Sequence, residues 1–265
     1  MRNLFRLFLI IFSCVLIFEN TAFLKPYKIA DSESGPKIVV LNYHKIDDMD
    51  ISLSIPPREF DAQMKYLKDN DYHTITPDEL YAALDGEGEL PENPVLITFD
   101  DGYADNYENA YPILKKYDFK ATMFVISDFV GNKAHYITWD EAREMSKNGI
   151  TIESHTVDHR SMTDLTNEQL KKELVYSKKK IEEEMGEPVD FIAYPTGTYN
   201  LHIAQLVKDA GYKAAFTIKY GNVDMASNVY ALERAPIFHT EDTHKSFLER
   251  IRYAPIFESF GWIKN

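Results

Sequence analysis

Short apolar runs alternate with amphipathic stretches along the chain after residue 36. In order, the apolar runs are KIVVLNYH, YHTIT, PVLITFD, ATMFVI, GITIESH, DFIAYP, KAAFTI and ALERAPIF. Each run has the length of a buried strand. Because strands that alternate with helices pair in parallel through right-handed crossovers, the pattern predicts an α/β protein. Eight candidate strands in 265 residues favour a barrel over an open sheet, although periodicity alone does not distinguish the two.

The longest amphipathic stretch carries helix signals at both ends. Thr166 and Gln169 have the spacing of a capping box, and Gly186 is suited to end a helix. The sequence therefore predicts a long helix that starts after Thr166 and ends near Gly186. The lysines at 178–180 and the glutamates at 182–184 are interpreted as its solvated face.

The N-terminus, MRNLFRLFLIIFSCVLIFENTAFL, has the layout of a secretory signal. Arg2 and Arg6 precede an apolar run that is short for a bilayer span. We predict a signal peptide or membrane anchor at 1–24, a polar linker at 25–36 and one catalytic domain at 37–265. A buried helix, or lipidation at Cys14, are the alternatives. The protein is then extracytoplasmic, either secreted or anchored at the cell surface, and contacts the membrane only through this segment.

Composition narrows the classes of partner. Hydrophobic residues make up 45% and charged residues 27% of the chain, which is ordinary for a globular protein. The formal net charge of −13 argues against nucleic acid, because binding a polyanion needs lysine and arginine to displace counterions. The single cysteine lies in the N-terminal apolar run, so the predicted domain has no thiol nucleophile and no thiolate metal site.

Two clusters of polar residues follow apolar runs and suggest a metal site. Asp100 and Asp101 end the run PVLITFDD, and His155 and His159 stand four residues apart after GITIES. Each cluster alone has a plain structural reading, as a helix cap or as a pair of loop histidines. Together, two imidazoles and one carboxylate are the ligands of an open catalytic zinc-type site, and the second carboxylate is left as a general base. A bound cation would also stabilise two adjacent ionised carboxylates.

These motifs resemble a known family. TFDDG at 98–102 and HTVDH at 155–159, with VVLNYHKI, ITWDEAREM and FIAYPTGTYN, are similar to the NodB-like polysaccharide deacetylases, carbohydrate esterase family four, and most of all to their poly-N-acetylglucosamine branch. The resemblance implies a single deformed (β/α) barrel of about seven or eight strands. It also implies that Asp100 is the base and that Asp101, His155 and His159 bind a divalent metal.

The activity implied is hydrolytic removal of N-acetyl groups from an extracellular or cell-wall polysaccharide that contains N-acetylglucosamine, with release of acetate. Zinc is the expected ion, and cobalt, nickel or iron are alternatives. The expected partner is the polysaccharide, and we expect a monomer. The acidic surface suits the cationic product polymer.

One departure from the family pattern concerns the residue that orients the base. The third motif usually begins with arginine, but AYPTG has Ala193 at that position. Arg234, in the run LERAPIF, is our candidate to orient Asp100, and Arg160 is the alternative. The backbone N–H of Thr196 can still serve as the oxyanion donor.

The remaining site residues are less constrained. His239, in IFH at 237–239, is the candidate general acid, with His244 nearby as another candidate; Asp100 could also return the proton itself. Expected substrate contacts are His44, Tyr103, Tyr194 and Pro195.

Two rival functions fit part of the pattern. A barrel glycoside hydrolase would use carboxylates such as Asp100 and Glu153 at strand ends, and would release reducing ends rather than acetate. A non-catalytic glycan-binding surface protein on the same fold would bind polymer and release no acetate even with metal added.

Overall fold

The structure is a computed structural model that describes residues 37–252. Its strands are β1 (Val39–Tyr43), β2 (His73–Thr74), β3 (Pro94–Asp101), β4 (Ala121–Val125), β5 (Ile150–Ser154), β6 (Phe191–Ala193), β7 (Ala214–Tyr220) and β8 (Leu232–Pro236). Its α-helices are α1 (Pro57–Asp69), α2 (Pro77–Leu84), α3 (Tyr111–Tyr117), α4 (Trp139–Ser146), α5 (Asn167–Met185), α6 (Leu201–Asp209) and α7 (Thr243–Arg252). The predicted signal or anchor at 1–24 and the linker at 25–36 lie outside the described residues. Within 37–252, no helix combines the length and apolar character that a membrane span requires.

All strand pairings between these elements are parallel, and they close into a barrel. The order is β1-β8-β7-β6-β5-β4-β3-β2, and β1 also pairs with β3 from Val39↔Val95 to Tyr43↔Phe99. The barrel wall therefore consists of β1 and β3 to β8, while the two-residue β2 pairs only with β3. This confirms the predicted (β/α) barrel. Each predicted apolar run contains one strand, and YHTIT contributes only the short β2.

The strands separate two apolar layers. One buried cluster contains Val40, Leu96, Phe124, Phe191 and Phe216, which alternation along the strands places inside the barrel. A second cluster packs between the strands and the surrounding helices. Asp100 in β3 and Arg234 in β8 continue the inward-facing alternation of Leu96 and Leu232 toward the carboxyl ends of these strands, where such barrels carry their chemistry.

Helix α5 begins and ends where the sequence predicts. The Thr166 side chain accepts a hydrogen bond from the Gln169 N–H in a complete capping box, and Gly186 ends the helix in a left-handed conformation with φ 73°. Its charged runs are not purely solvated, however. Lys180 Nζ lies 3.0 Å from Asp128 Oδ1, and Glu184 Oε2 lies 3.2 Å from Arg143 Nη1. These residues fasten α5 to its neighbours.

Candidate active site

Asp101, His155 and His159 form a cluster at the carboxyl end of the barrel. Their potential ligand atoms all lie within 4.8 Å of one another. Asp101 Oδ1 is 3.5 Å from His155 Nε2 and 3.3 Å from His159 Nε2. Asp101 and His155 are buried, whereas one third of the His159 side chain is exposed. The structure thus brings together the three residues that the sequence selects as metal ligands.

The chemistry of this cluster fits a divalent cation. Asp101 Oδ1 is buried and accepts no hydrogen bond from any described residue. A buried carboxylate oxygen without a partner is costly, and a cation held between it and two imidazole nitrogens would satisfy it. Two nitrogens and one oxygen also form the donor set of open zinc-type sites.

A neighbouring strand fixes the orientation of His155. Its Nδ1 lies 2.8 Å from the carbonyl oxygen of Ala193. Since a carbonyl only accepts hydrogen bonds, Nδ1 carries the proton and the lone pair of Nε2 faces Asp101. Burial lowers the pKa of His155, which favours the neutral form that a metal ligand needs. Ala193 therefore contributes its backbone at the position where the family usually has an arginine side chain.

The backbone around the cluster is unusual. Asp101, Thr156 and His159 are non-glycine residues in the left-handed region, with φ values of 75°, 67° and 64°. Such conformations are costly and concentrate at functional sites. At Asp101 the reversal breaks the strand's alternation, so two successive aspartates can serve one site. Gly102 continues the turn with φ 83°, where a Cβ would meet Val125 Cγ1 at 3.1 Å.

Asp100 has a complete set of donors inside the barrel. Arg234 makes a bidentate contact, with Nη1 at 2.8 Å from Oδ1 and Nη2 at 2.7 Å from Oδ2. Asn42 Nδ2 donates to Oδ2 at 3.0 Å. Burial alone raises the pKa of Asp100, but the charge of Arg234 and its hydrogen bonds outweigh burial and hold the pKa well below its usual value. Asp100 is therefore ionised and able to accept a proton.

Arg234 is itself held rigidly. It is fully buried, its Nε donates to the Thr217 carbonyl at 2.8 Å, and its Nη1 lies 3.2 Å from Thr98 Oγ1. Arg234 therefore makes the contact with Asp100 that the sequence predicts. The alternative, Arg160, is set aside because its guanidinium pairs with Asp158 at 2.9 Å and Glu173 at 2.7 Å.

The other residues of the third motif lie at the turn after β6, and they differ in their exposure to solvent. Thr196 is exposed and has φ 57°. The side chains of Tyr194 and Pro195 are buried, and contact of these residues with substrate stays a prediction. Tyr194 points to the outer layer, where its hydroxyl donates to the Tyr230 carbonyl at 3.0 Å and its ring stacks on Tyr199.

His44 and Tyr103 lie at the same end of the barrel. His44 directly follows β1, and its carbonyl accepts a hydrogen bond from Asn106 Nδ2 at 2.8 Å. The Tyr103 ring stacks on Tyr136 at 5.1 Å and lies 4.7 Å from Lys45 Nζ. Burial, followed by the charge of Asp101, raises the pKa of the Tyr103 hydroxyl. Substrate contact by either residue stays a prediction.

His239, the predicted general acid, contacts the loop at residues 50–52. The His239 N–H donates to the Ser52 carbonyl at 2.8 Å, and Nδ1 is 3.9 Å from Asp50 Oδ1. Among the described residues, no recorded contact joins His239 to Asp100 or to the metal cluster. His244, the other candidate general acid, lies on α7. Its ring packs against Phe247 of the same helix and against Tyr66 of α1, so we set it aside.

Glu153 does not lie at the open rim, contrary to what the glycoside hydrolase reading requires. It is buried, and its Oε2 accepts a hydrogen bond from the Phe191 N–H at 2.9 Å. Burial raises its pKa well above the usual value. Asp100 and Glu153 are each committed to internal partners, so they do not form an exposed pair of carboxylates.

Sequence reasoning missed two polar residues that neighbour the candidate site: Asn42, which contacts Asp100, and Glu173, which contacts the loop that carries the two histidines. The sequence does contain a signal for each of them, a polar residue at a position where the pattern predicts a buried apolar one. Asn42 interrupts the apolar run of β1, and Glu173 falls on the buried stripe of α5 beside Leu170 and Leu174. A polar residue on a buried face needs a partner, but periodicity does not say which one.

Comparison with known proteins identifies similar proteins that are named as polysaccharide deacetylases. The sequence profile of a family described as polysaccharide deacetylase matches residues 87–215. YxkH of Bacillus subtilis (strain 168), named as a polysaccharide deacetylase, is 41% identical over 206 residues, which cover 78% of this chain and 73% of YxkH. A poly-β-1,6-N-acetyl-D-glucosamine N-deacetylase of Staphylococcus aureus (strain MSSA476) is 29% identical, over 93% of this chain and 97% of that protein.

A solved structure extends the comparison to the fold. The Streptococcus pyogenes deacetylase PplD, in complex with acetate, aligns with a TM-score of 0.77 at 31% identity. The alignment covers 82% of this chain and 99% of PplD. The range matched by the family profile includes Asp100 and the three candidate metal ligands but ends before Arg234.

Proposed function

This chain belongs to the NodB-like polysaccharide deacetylases, carbohydrate esterase family four, and on that premise we propose that it is a metal-dependent enzyme that removes N-acetyl groups from an N-acetylglucosamine polymer. The observation that carries the proposal is the pairing of Asp100 with the cluster of Asp101, His155 and His159. One carboxylate is ionised and fully supported by donors, and the other leaves a buried oxygen without one.

Asp101, His155 and His159 would hold the cation, and zinc is the ion we expect. A bound divalent cation supplies Lewis-acid polarisation of the amide carbonyl and makes water more acidic. The chain supplies the rest. Ala193 holds His155 in the tautomer whose Nε2 is free to bind, and Arg234 with Asn42 fixes Asp100.

The proton transfers belong to Asp100. Water adds to the carbonyl carbon of the acetamido group while Asp100 accepts its proton. The C–N bond then breaks, and the leaving amine takes a proton from Asp100 or from His239. The products are acetate and a free amino sugar. The N–H of Thr196, on the exposed turn after β6, donates to the oxyanion, and one such donor is worth about 10²- to 10³-fold in rate.

The substrate class follows from the relatives. The Staphylococcus aureus relative is named for poly-β-1,6-N-acetyl-D-glucosamine, and the Streptococcus pyogenes relative was solved with acetate, the product expected here. The net charge of −13 suits a polymer that becomes cationic as acetyl groups are lost. An extracytoplasmic location is part of the proposal, since such polymers lie outside the cell.

The test is acetate release from poly-N-acetylglucosamine, peptidoglycan and chitin oligomers, each with and without added zinc, with Asp100→Asn as the inactive control. We expect zinc-dependent acetate release that the variant abolishes. Release of reducing ends without acetate would favour a glycoside hydrolase. Polymer binding without either product would favour a glycan-binding protein, and equal activity of wild type and variant would refute the assignment of Asp100.

A further inference from the structure

The segment 155–160 carries two candidate metal ligands and is held from outside the barrel by helix α5. Glu173, a buried residue of α5, accepts hydrogen bonds at Oε2 from the N–H groups of Val157 at 2.8 Å and Asp158 at 3.3 Å. Its Oε1 accepts from Arg160 Nη2 at 2.7 Å. Three donors from consecutive parts of one loop thus converge on a single carboxylate.

One turn further along α5, Ser177 fastens the start of the same segment. Its hydroxyl lies 2.8 Å from Ser154 Oγ, which in turn accepts a hydrogen bond from the Thr156 N–H at 3.2 Å. The Tyr212 hydroxyl lies 3.2 Å from Ser177 Oγ. Both Ser154 and Ser177 are fully buried. The same face of α5 therefore holds the segment at two points.

The two histidines differ in how much support they receive. His155 is buried and has its own hydrogen bond to the Ala193 carbonyl. His159 is one-third exposed, and its ring contacts two members of the same cluster, Asp101 Oδ1 at 3.3 Å and the His155 ring at 4.8 Å between centroids. Its backbone is in the left-handed region, which only a well-determined loop maintains. The position of the His159 ring therefore depends on the backbone that carries it, and Glu173 binds that backbone directly before His159.

We propose that Glu173 is a positioning residue that holds His159 in place within the metal centre. This inference rests on the proposed metal-dependent function. A carboxylate is suited to the task because all three of its partners are donors. A glutamine cannot serve all three partners, because its NH2 group is a donor. That group would oppose either the Arg160 guanidinium or the backbone N–H groups of Val157 and Asp158, so one side of the contact would be lost and the loop would shift.

The test is the zinc affinity of the full chain, measured by competition with a chromogenic chelator, for wild type, Glu173→Gln and Glu183→Gln. Loss of a residue that orients a metal ligand typically weakens affinity about 10- to 100-fold, and we expect a loss in that range for Glu173→Gln. Glu183 is the matched control, since it lies on the same helix in an exposed i,i+4 pair with Lys179. Its substitution should leave affinity within twofold of wild type.

A double-mutant cycle separates positioning from a general structural role. If Glu173 acts through His159, Glu173→Gln should cause no further loss in a His159→Ala background but should keep its full effect in a His155→Ala background. Equal losses in both backgrounds would overturn the inference. If Glu173→Gln does not fold, Arg160→Gln removes one of the three donors at a partly exposed site and should weaken affinity by a smaller factor.

The outcomes also distinguish this inference from the proposed function. Wild type that binds zinc, with Glu173→Gln unchanged, would refute the role of Glu173 and leave the metal centre intact. Wild type that binds no zinc would refute the metal centre, and the inference with it. The visible spectrum of the cobalt-substituted protein gives an independent readout: we expect Glu173→Gln, but not Glu183→Gln, to change its band intensities.

Discussion

Asp100 accepts hydrogen bonds from Arg234 and Asn42 inside the barrel, whereas Asp101, the next residue, leaves one buried oxygen without a donor. The first carboxylate is held by side chains from β1 and β8. The second faces two imidazoles from the segment after β5. The difference supports the proposed division of tasks: side chains complete the surroundings of Asp100, the proposed base, whereas a cation would complete those of Asp101.

The surroundings of Asp100 and Asp101 also differ in backbone conformation and in exposure to solvent. The partners of Asp100 are strand residues with ordinary backbone conformations and almost no exposure. The cluster around Asp101 uses left-handed backbone at three positions and one partly exposed histidine. A base needs a fixed orientation and a defined charge. A metal centre needs access for substrate, and the two histidines proposed as ligands lie on a loop whose backbone donates hydrogen bonds to Glu173.

Replacing either aspartate by asparagine should change zinc affinity and acetate release in different ways. The larger loss of zinc affinity is expected at Asp101. Asp101→Asn removes the charged ligand from the cluster, so zinc affinity should fall by more than the about 100-fold that loss of an outer-shell partner can cost. Acetate release should fall to background. Zinc competition on the purified chain measures this, and an affinity within tenfold of wild type would refute Asp101 as a ligand.

Asp100→Asn should instead keep the metal and lose the chemistry. Without a carboxylate to accept the proton, turnover should fall about 10²- to 10⁴-fold, the usual contribution of a general base. Zinc affinity should stay within a few-fold of wild type, because Asp100 is bound to Arg234 rather than to the cluster. Turnover and zinc content are measured on the same preparation of the variant. Loss of zinc from Asp100→Asn would refute the proposed division of tasks between Asp100 and Asp101.

Arg234→Met tests what supports the base. It leaves Asp100 buried without its charged partner, and breaking a buried pair costs about 3–5 kcal/mol of stability. Burial then raises the pKa of Asp100, so the acid limb of the activity profile should move to higher pH and turnover at neutral pH should fall, with zinc content unchanged. Urea unfolding of the zinc-free protein gives the stability. Arg160→Met, at a partly exposed pair, should have a much smaller effect on stability, and equal losses would contradict the assignment.

The smallest expected effect concerns acid stability. The folded-state pKa of Asp100 lies below its unfolded value of about 3.9, so ionised Asp100 stabilises the fold above that pH, and this contribution is lost as the pH falls toward the folded pKa. Zinc-free wild type should therefore lose stability more steeply than Asp100→Asn below about pH 4, by on the order of 2 kcal/mol. Parallel unfolding curves for the two proteins would mean that the Asp100 pKa is not depressed.

Much of the fold could be read from local patterns. Each of the eight apolar runs contains a strand, and the ends of α5 coincide with the Thr166 capping box and Gly186. These features depend on residues close together in sequence, so periodicity and capping report them directly. The candidate metal cluster could be predicted for a similar reason, because TFDDG and HTVDH are compact motifs whose residues lie at or just after the ends of two strands.

The sequence by itself therefore determined the order of strands and helices, and it selected Asp100, Asp101, His155 and His159 as the residues of one candidate site. The tertiary structure decided which distant side chains complete them. Arg234 meets Asp100 across 134 residues of sequence, and Asn42 meets it across 58. Only closure of the barrel between β1 and β3 brings such positions together. It also turned Tyr194 and Glu153 away from the open rim, because the direction of a side chain depends on strand alternation and on the neighbour that each strand acquires.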